Sequence, residues 1–249
     1  MTVLSDTPAA RPISNDAEAA SSVGVTARVW EALRTVRDPE LDTDVVSLDF
    51  VASVGVDPDG VAHVALRLPT YFCAPNFAFL MVADAHDVVS AAAGVSRADV
   101  VLIDHFASEA INSGVAARAG FVGSMAGTEV GEAVAELDDL RRTFTERALM
   151  AGTDLVVRPI MREGATPEQV AAMTLGEAPG SADLDRLRLR RVELGIPSGD
   201  SDPLVVDPSG RTVGVEALPL HLRKARSYQV GVDANTSICR GQLAARYGV

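Results

Sequence analysis

The segment with the clearest chemical potential is the loop Leu68-Pro69-Thr70-Tyr71-Phe72-Cys73-Ala74-Pro75, where one thiol stands between an expected strand and an expected helix. Backbone amides and the positive dipole end at a helix amino terminus stabilise a thiolate, which attacks electrophiles and binds metals. Thr70, three residues before the cysteine, is placed to hydrogen-bond the sulfur or a bound ligand. The spacing leaves two interpretations of Cys73 open: an active or ligating thiol, or an inert core thiol packed behind Phe72 and Phe77.

The second cysteine, Cys239, also follows a hydroxyl residue by three positions, and Arg240 beside it predicts a lowered pKa for its thiol. Cys239 is either a buried helix cysteine or the partner of Cys73 in a two-thiolate site across a domain interface. The four histidines lack metal-ligand spacing, and each is expected to be an ordinary polar residue. His105 is the best candidate ligand among them, because it ends an expected strand near the thiol loop.

An α+β domain is expected around the thiol loop. A short amphipathic helix begins at Val25 and stops at Asp38-Pro39, because a residue before proline leaves the α region. A β-hairpin turned by Asp57-Pro58-Asp59-Gly60 comes next, and a second helix begins at Pro75. The expected elements are a helix over 25–37, strands over 44–56 and 61–68, a helix over 75–93 and a strand over 99–104.

The second half of the sequence predicts a mainly helical region with a small β-hairpin. Thr166-Pro167-Glu168-Gln169 has the residues of a capping box with proline at the first helical position. Gly152 and Gly195 are expected helix stops. The expected elements are helices over 128–150, 166–173, 181–195 and 234–246, with a hairpin over 204–215. We therefore divide the chain into a flexible tail (1–23), an α+β domain (24–106) and a mainly helical region (107–249).

Composition and missing motifs exclude several function classes. The net charge of −12 has no compensating basic region, which argues against nucleic acid as a partner. No apolar stretch is long enough for a bilayer and no secretory leader opens the sequence, so a cytoplasmic protein is expected. The sequence also lacks a phosphate-binding loop with lysine, a G-x-G-x-x-G turn and a G-x-S-x-G elbow, so a conventional enzyme is not expected.

Four short motifs occur in a fixed order in the first half. They are Asp38-Pro39-Glu40-Leu41, Asp44-Val45-Val46-Ser47-Leu48, Thr70-x-x-Cys73 and Gly94-Val95. In their order and spacing, residues 26 to about 106 resemble the iron-sulfur cluster assembly domain family, long described as a domain of unknown function. Members of that family assist cluster delivery and the assembly of cluster-dependent oxygenases. The loop cysteine is the family's signature residue and the acidic turn lies near it, so the resemblance implies cofactor binding by Cys73, Thr70, Asp38 and Glu40.

The sequence departs from the family pattern at two positions. Leu48-Asp49-Phe50-Val51 stands where the family has Leu-Gly-Leu-Val, so a carboxylate replaces a glycine. Asp49 is either an added hard metal ligand or a turn carboxylate that faces water. The family's cysteine is followed directly by proline, whereas Ala74 separates Cys73 from Pro75.

The whole chain also resembles a longer actinobacterial form of the domain, typically encoded beside soluble diiron monooxygenases of the propane-oxidising type, with a chaperonin nearby. The resemblance implies that the client is the diiron hydroxylase, whose metal site uses carboxylates and histidines without sulfide. Delivery to such a site needs exchangeable ligands. One thiolate with a few carboxylates meets that need better than a closed four-thiolate cage.

The leading hypothesis is a maturation factor that transiently binds iron or an iron-sulfur cluster through Cys73 and docks a client oxygenase through residues 107–249. Its candidate metal ligands are Cys73, Cys239, Asp49 and His105. One alternative is a metal-free, chaperone-like adaptor that holds an apo-monooxygenase subunit. Another is a thiol enzyme with Cys73 as nucleophile, assisted by His105 or Asp38. A homodimer is left open.

Overall fold

A computed structural model describes residues 15–118 and 130–248, and its architecture is the predicted α+β class. The elements are α1 (Asn15–Leu33), β1 (Val51–Val56), β2 (Val61–Leu66), α2 (Pro75–Ser90), β3 (Arg97–Leu102), α3 (Ser108–Ala116), α4 (Val130–Arg162), α5 (Pro167–Ala172), α6 (Ala182–Leu194) and α7 (Leu218–Tyr247). Within these two ranges, none of the helices combines the length and apolar character that a bilayer crossing requires.

The sheet places the ends of β2 and β3 side by side. β1 pairs antiparallel with β2, and β2 pairs parallel with β3, so β2 is the central strand. The crossover from β2 to β3 contains α2, which packs on the sheet. Val64 and Leu66 point into the core while His63 is exposed, as expected for a half-buried strand. The segments that follow β2 and β3 therefore lie at one edge of the sheet.

The first hydrophobic core joins α1, α2 and the sheet. Leu33 of α1, Phe79 of α2 and Leu66 of β2 are among its buried side chains. The chain leaves α2 through Gly94, whose φ of +91° suits glycine. A Cβ at this position would lie 2.9 Å from Val25 Cγ2, so glycine also permits the close approach of α1.

The second core is formed by α4, α5, α6 and the loops between α6 and α7. Both predicted local caps are confirmed. Thr166 and Gln169 form a reciprocal capping box at α5, and Ser181 accepts the Leu184 amide at α6, which ends at Gly195 with a left-handed φ of 71°. Arg191 on α6 is almost fully buried and donates to the carbonyls of Pro203 and Leu204 at 2.8 and 2.6 Å.

Several boundaries differ from the prediction in the first half. α1 ends at Leu33 instead of residue 37, so the predicted stop at Asp38-Pro39 is wrong. α1 begins at Asn15, inside the predicted tail, and residues 1–14 of that tail lie outside the described residues. The predicted strand over 44–56 is wrong at its start, because residues 45–49 form turns closed by the Phe50 amide bonding the Val45 carbonyl at 2.9 Å. β3 lies two residues earlier than predicted, and α3 was not predicted at all.

The second half contains longer helices than the sequence predicts. α4 continues through Gly152 to Arg162, so the predicted stop is wrong; burial of Leu149, Val156 and Val157 in the second core outweighs the helix propensity of a single glycine. The expected cap Thr128 lies outside the described residues. α7 starts at Leu218 rather than near residue 234. The predicted hairpin over 204–215 is reduced to a single bridge between Val206 and Thr212.

The two cores are joined by side chains from α4 and α7. Phe144 and Leu243 are buried in the first core rather than the second. The ring of Phe144 meets Phe77 edge to face at 4.9 Å between centroids. Arg141 on α4 donates to Asp84 on α2 at 2.9 Å, so both apolar and ionic contacts hold the helical region against the α+β domain.

Arg191 is expected to be a strong determinant of stability. Arg191→Met should lower the free energy of unfolding by about 2–4 kcal/mol, because charge-assisted bonds to two buried carbonyl groups are lost. Chemical denaturation followed by circular dichroism measures this change. Arg211→Met, at an exposed ion pair with Asp207, is the matched control and should cost at most about 1 kcal/mol. Equal losses for the two variants would contradict the structural role of Arg191.

Candidate functional site

The thiol of Cys73 is presented by a short loop between β2 and α2. Its side chain is half-buried, and Sγ lies 3.2 Å from Thr70 Oγ1. Thr70 Oγ1 also accepts the Phe72 amide at 3.2 Å, which closes a small turn around the sulfur. α2 begins two residues after the cysteine, and no side chain caps its amino terminus. The predicted arrangement of hydroxyl, thiol and helix start is therefore present in the structure.

His105 fixes this loop from the neighbouring strand. The imidazole is only 3% exposed and uses both of its nitrogens. Nδ1 accepts the Ala107 amide at 3.2 Å, which leaves the proton on Nε2 for donation to the Cys73 carbonyl at 2.8 Å. The Phe106 amide adds a bond to the Tyr71 carbonyl at 3.1 Å. In this arrangement His105, a candidate metal ligand from the sequence, has no free nitrogen and positions the thiol loop.

Exposed aromatic side chains surround the thiol loop. Phe72 is 77% exposed, and Tyr71 and Phe106 are about half exposed. The Phe72 ring lies 5.0 Å from that of Tyr71 and 5.9 Å from that of Phe106, measured between centroids. We call these three side chains the aromatic rim. Large exposed apolar side chains that cluster in this way are typical of surfaces that contact other proteins.

Asp38 is the buried carboxylate of the acidic turn. Its Oδ1 accepts the backbone amides of Glu40 and Leu41, each at 2.8 Å. Burial raises the pKa of the Asp38 carboxyl to about 6, and these two hydrogen bonds only partly offset the effect. Asp38 therefore changes its protonation state close to neutral pH, which was not foreseen from the sequence.

Cys239 is brought to the same region by α7. Both cysteines pack against the first core. Burial raises the pKa of the Cys239 thiol to about 11, and the negative charges of Asp38, Cys73 and Glu40 act in the same direction. The lowered pKa predicted from Arg240 is wrong, because desolvation and these nearby acidic groups dominate. Cys239 keeps its proton at neutral pH.

The remaining predicted site residues occupy different places. Glu40 is exposed and accepts a bond from Asn235 Nδ2 on α7 at 2.9 Å. Asp49 is exposed, with φ of 58°, and its backbone carbonyl accepts a hydrogen bond from Arg67 Nε at 3.3 Å. A left-handed residue explains why a glycine suits this position, and aspartate tolerates it better than most residues. Across residues 15–118 and 130–248, no three acidic, histidine or cysteine side chains are arranged to hold a metal ion.

Two residues at the candidate site were not predicted from the sequence. Asn235 and Phe106 lie far from Cys73 along the chain, and neither belongs to a local motif. The only signal for Phe106 was its position beside His105 at the end of a strand parallel to β2. No sequence signal pointed to Asn235. The helix that carries it was expected to begin at residue 234, whereas it begins at Leu218.

A comparison with protein families finds a match in the first half of the chain. Residues 26–100 match the family model of the iron-sulfur cluster assembly protein. This range, which we call the family-matched domain, contains the acidic turn and the thiol loop but neither His105 nor Cys239.

Two relatives match parts of the chain. The Fe-S protein maturation auxiliary factor YitW of Bacillus subtilis (strain 168) is 40% identical over 45 residues, which is 18% of this chain and 44% of that protein. The chain thus matches less than half the length of this curated relative. A crystal structure of a domain of unknown function from Bacillus anthracis is 27% identical and covers 34% of this chain and 79% of its own, with a TM-score of 0.32.

Asp38 is expected to make stability depend on pH. Its pKa is raised on folding, so its favourable contribution is present below about pH 4 and is lost as the pH rises through about 6. Asp38→Asn keeps an oxygen for both amides and should remove this slope in urea denaturation series between pH 4 and 7. Asp44→Asn, which changes the charge equally at a turn that accepts the Ser47 amide at 2.8 Å, is the control. An unchanged slope in Asp38→Asn would disprove the assignment.

Cys239 is expected to react slowly and with a steep pH dependence. In the Cys73→Ser variant only Cys239 remains, and with a pKa of about 11 its labelling rate by iodoacetamide should rise about tenfold per unit from pH 8 to 10. The same variant in denaturant provides the reference rate of an unperturbed thiol. A rate that levels off near pH 9 in the folded protein would show that the environment of Cys239 is different.

Proposed function

We propose that this protein is a maturation factor that carries iron or an iron-sulfur cluster transiently on Cys73 and passes it to a client protein. The observation that carries the proposal is the thiol at the start of α2, bonded by Thr70 at 3.2 Å and surrounded by an aromatic rim. Iron is cargo in this proposal, not a resident cofactor. The match of residues 26–100 to the family model and the maturation role named for the Bacillus subtilis relative support it.

The donor set suits an iron species that must leave again. Cys73 is the sulfur ligand that the proposal requires. Cys239, Asp38 and Glu40 lie close enough to interact electrostatically, but within the described residues no three such side chains are arranged to hold a metal ion together. A metal that binds Cys239 must displace a proton from a thiol of pKa about 11, which lowers its affinity at neutral pH. The chain therefore holds its cargo with few strong ligands, and a client with a complete ligand set withdraws it.

The client in this proposal is an oxygenase, and more narrowly the hydroxylase of a soluble diiron monooxygenase, with a chaperonin as a further partner. The support for this choice is the resemblance of the chain to the longer form of the domain. The aromatic rim provides a contact surface next to the sulfur, so a docked protein would shield the cargo from water during transfer. Residues 107–249 provide the remaining contact surface.

A metal-free adaptor is the second candidate. It is favoured by the finding that, within the part of the chain that the structure describes, no three potential ligands form a metal-binding group. In this adaptor the aromatic rim still contacts the client, but the Cys73 sulfur has no role.

Replacing the sulfur separates the two candidates. Cys73→Ser is expected to lose most of its bound iron, about tenfold or more, after anaerobic loading, because a serine hydroxyl is a much weaker iron ligand than a thiolate. Iron and sulfide analysis with Mössbauer spectroscopy measures the load, and activation of an apo-hydroxylase measures delivery. Ala74→Ser, one exposed position later, introduces the same hydroxyl and keeps the thiol.

The outcomes differ clearly. Loss of loading and activation in Cys73→Ser alone supports the maturation factor. Equal loading and activation in both variants refutes the role of the thiol. Full activation by Cys73→Ser together with loss of activation in Phe72→Ser would instead support the metal-free adaptor.

A further inference from the structure

We propose that a second site, separate from the thiol loop, binds a small organic anion in the cavity between α4, α6, α7 and the loop that contains Asp42. The cavity has a volume of about 490 Å³, within the range of small-molecule sites. Its walls come from both the family-matched domain and the helical region. Neither the family comparison nor the proposed function assigns a role to it.

The floor of the cavity is apolar, and small residues of α4 form part of it. Ala148, Ala151 and Gly152 are small residues on the face of α4 that borders the cavity. Leu187 and Val232 continue this surface on α6 and α7. A ligand with an apolar body would be stabilised by contact with this floor.

Most charges around the cavity are already paired. Arg186 bonds to Asp183, and Arg190 bonds to Asp42 and to Glu193. Asp233 accepts from Gln229 at 2.8 Å. The amide of Gln229 is neutral and leaves the charge of Asp233 in place. The lining nevertheless has as many arginines as aspartates, three of each, so it carries no surplus of negative charge, although the protein as a whole carries a net charge of −12.

Three polar groups on α7 remain available to a ligand. Within the described residues, the side chains of Arg240, Thr236 and Ser237 form no hydrogen bond or ion pair, and all three line the cavity. Thr236 and Ser237 precede Arg240 by one helical turn, at i,i+4 and i,i+3 spacing, so each hydroxyl group lies beside the guanidinium on the helix surface. A guanidinium with two hydroxyl groups beside it matches a carboxylate or a phosphate.

Arg190 supplies a further donor. Its side chain is 5% exposed and lines both this cavity and a smaller one of about 170 Å³ beside Asp38. Its Nε is buried and has no acceptor among the residues that the structure describes. A buried donor without a partner is unfavourable, so an acceptor oxygen from a ligand or its water would satisfy it.

The chemistry that fits is therefore an anionic head with an apolar body. The head lies at Arg240 and the two hydroxyl groups, and the body lies against the floor. A ligand bound at this site would also contact segments that adjoin the thiol site. Arg240 follows Cys239 directly, and Asp42 lies two residues after Glu40.

The test uses simple probes and no metal. Isothermal titration with hexanoate, hexyl phosphate and neutral hexanol compares the two head groups with an uncharged molecule of the same apolar body. At least one anion should bind about tenfold or more tightly than hexanol, because only the anions engage the guanidinium. The preferred anion identifies the head group.

Arg240→Gln should weaken binding of the preferred anion about tenfold, and Thr236→Val should weaken it less. Arg223→Gln is the matched control, since Arg223 is exposed on the same helix and does not line the cavity. Binding of neither anion, equal binding of hexanol, or full binding by Arg240→Gln would overturn the proposal. Since Arg240 is exposed and forms no hydrogen bond or ion pair with the residues that the structure describes, the variant should remain folded, and circular dichroism verifies this. None of these results depends on iron loading at Cys73.

Discussion

The hydrogen bond from His105 Nε2 to the Cys73 carbonyl is the interaction on which the thiol site depends. It joins the end of one strand to the loop after the neighbouring parallel strand, and it does so inside the core. Because Nδ1 is occupied by the Ala107 amide, the ring has one tautomer and one orientation. The loop is thereby held from its backbone, so the sulfur remains half-buried beside the Thr70 hydroxyl while the aromatic rim stays exposed.

The helical region contributes residues to the candidate site. The family-matched domain contributes Cys73 and the acidic turn, whereas α7 contributes Cys239 and Asn235. The bond from Asn235 to Glu40 and the ion pair between Arg190 and Asp42 both attach the helical region to the segment after Asp38. The environment that raises the pKa of Cys239 therefore exists only when the two parts of the chain are packed together.

Sequence reasoning succeeded where the determining interactions are local. The thiol loop, the hairpin turn, the capping box at Thr166 and the helix stop at Gly195 each depend on residues within a few positions of one another. It failed where distant packing decides: α4 passes Gly152 because the second core supports it. Likewise Arg240 predicted the wrong pKa shift for Cys239, since the dominant causes are burial and acidic groups from elsewhere in the chain. The sequence position of His105 indicated a metal ligand, whereas the structure shows that its imidazole bonds the backbone of the thiol loop.

The parallel pairing of β2 with β3 gives the sheet two unequal ends. The candidate thiol site lies at the end where β2 and β3 finish, while the opposite end carries the Asp57-Gly60 turn and Ser96, whose backbone amide donates to the Gly60 carbonyl at 2.8 Å. A longer turn at that opposite end would leave the spacing between the Cys73 thiol and the His105 imidazole unchanged. An added residue within β2 itself would reverse the faces of the side chains beyond it and move the sulfur away from its support. The length of β2 thus fixes where the sulfur stands relative to His105, whereas the Asp57-Gly60 turn lies at the far end of the strand.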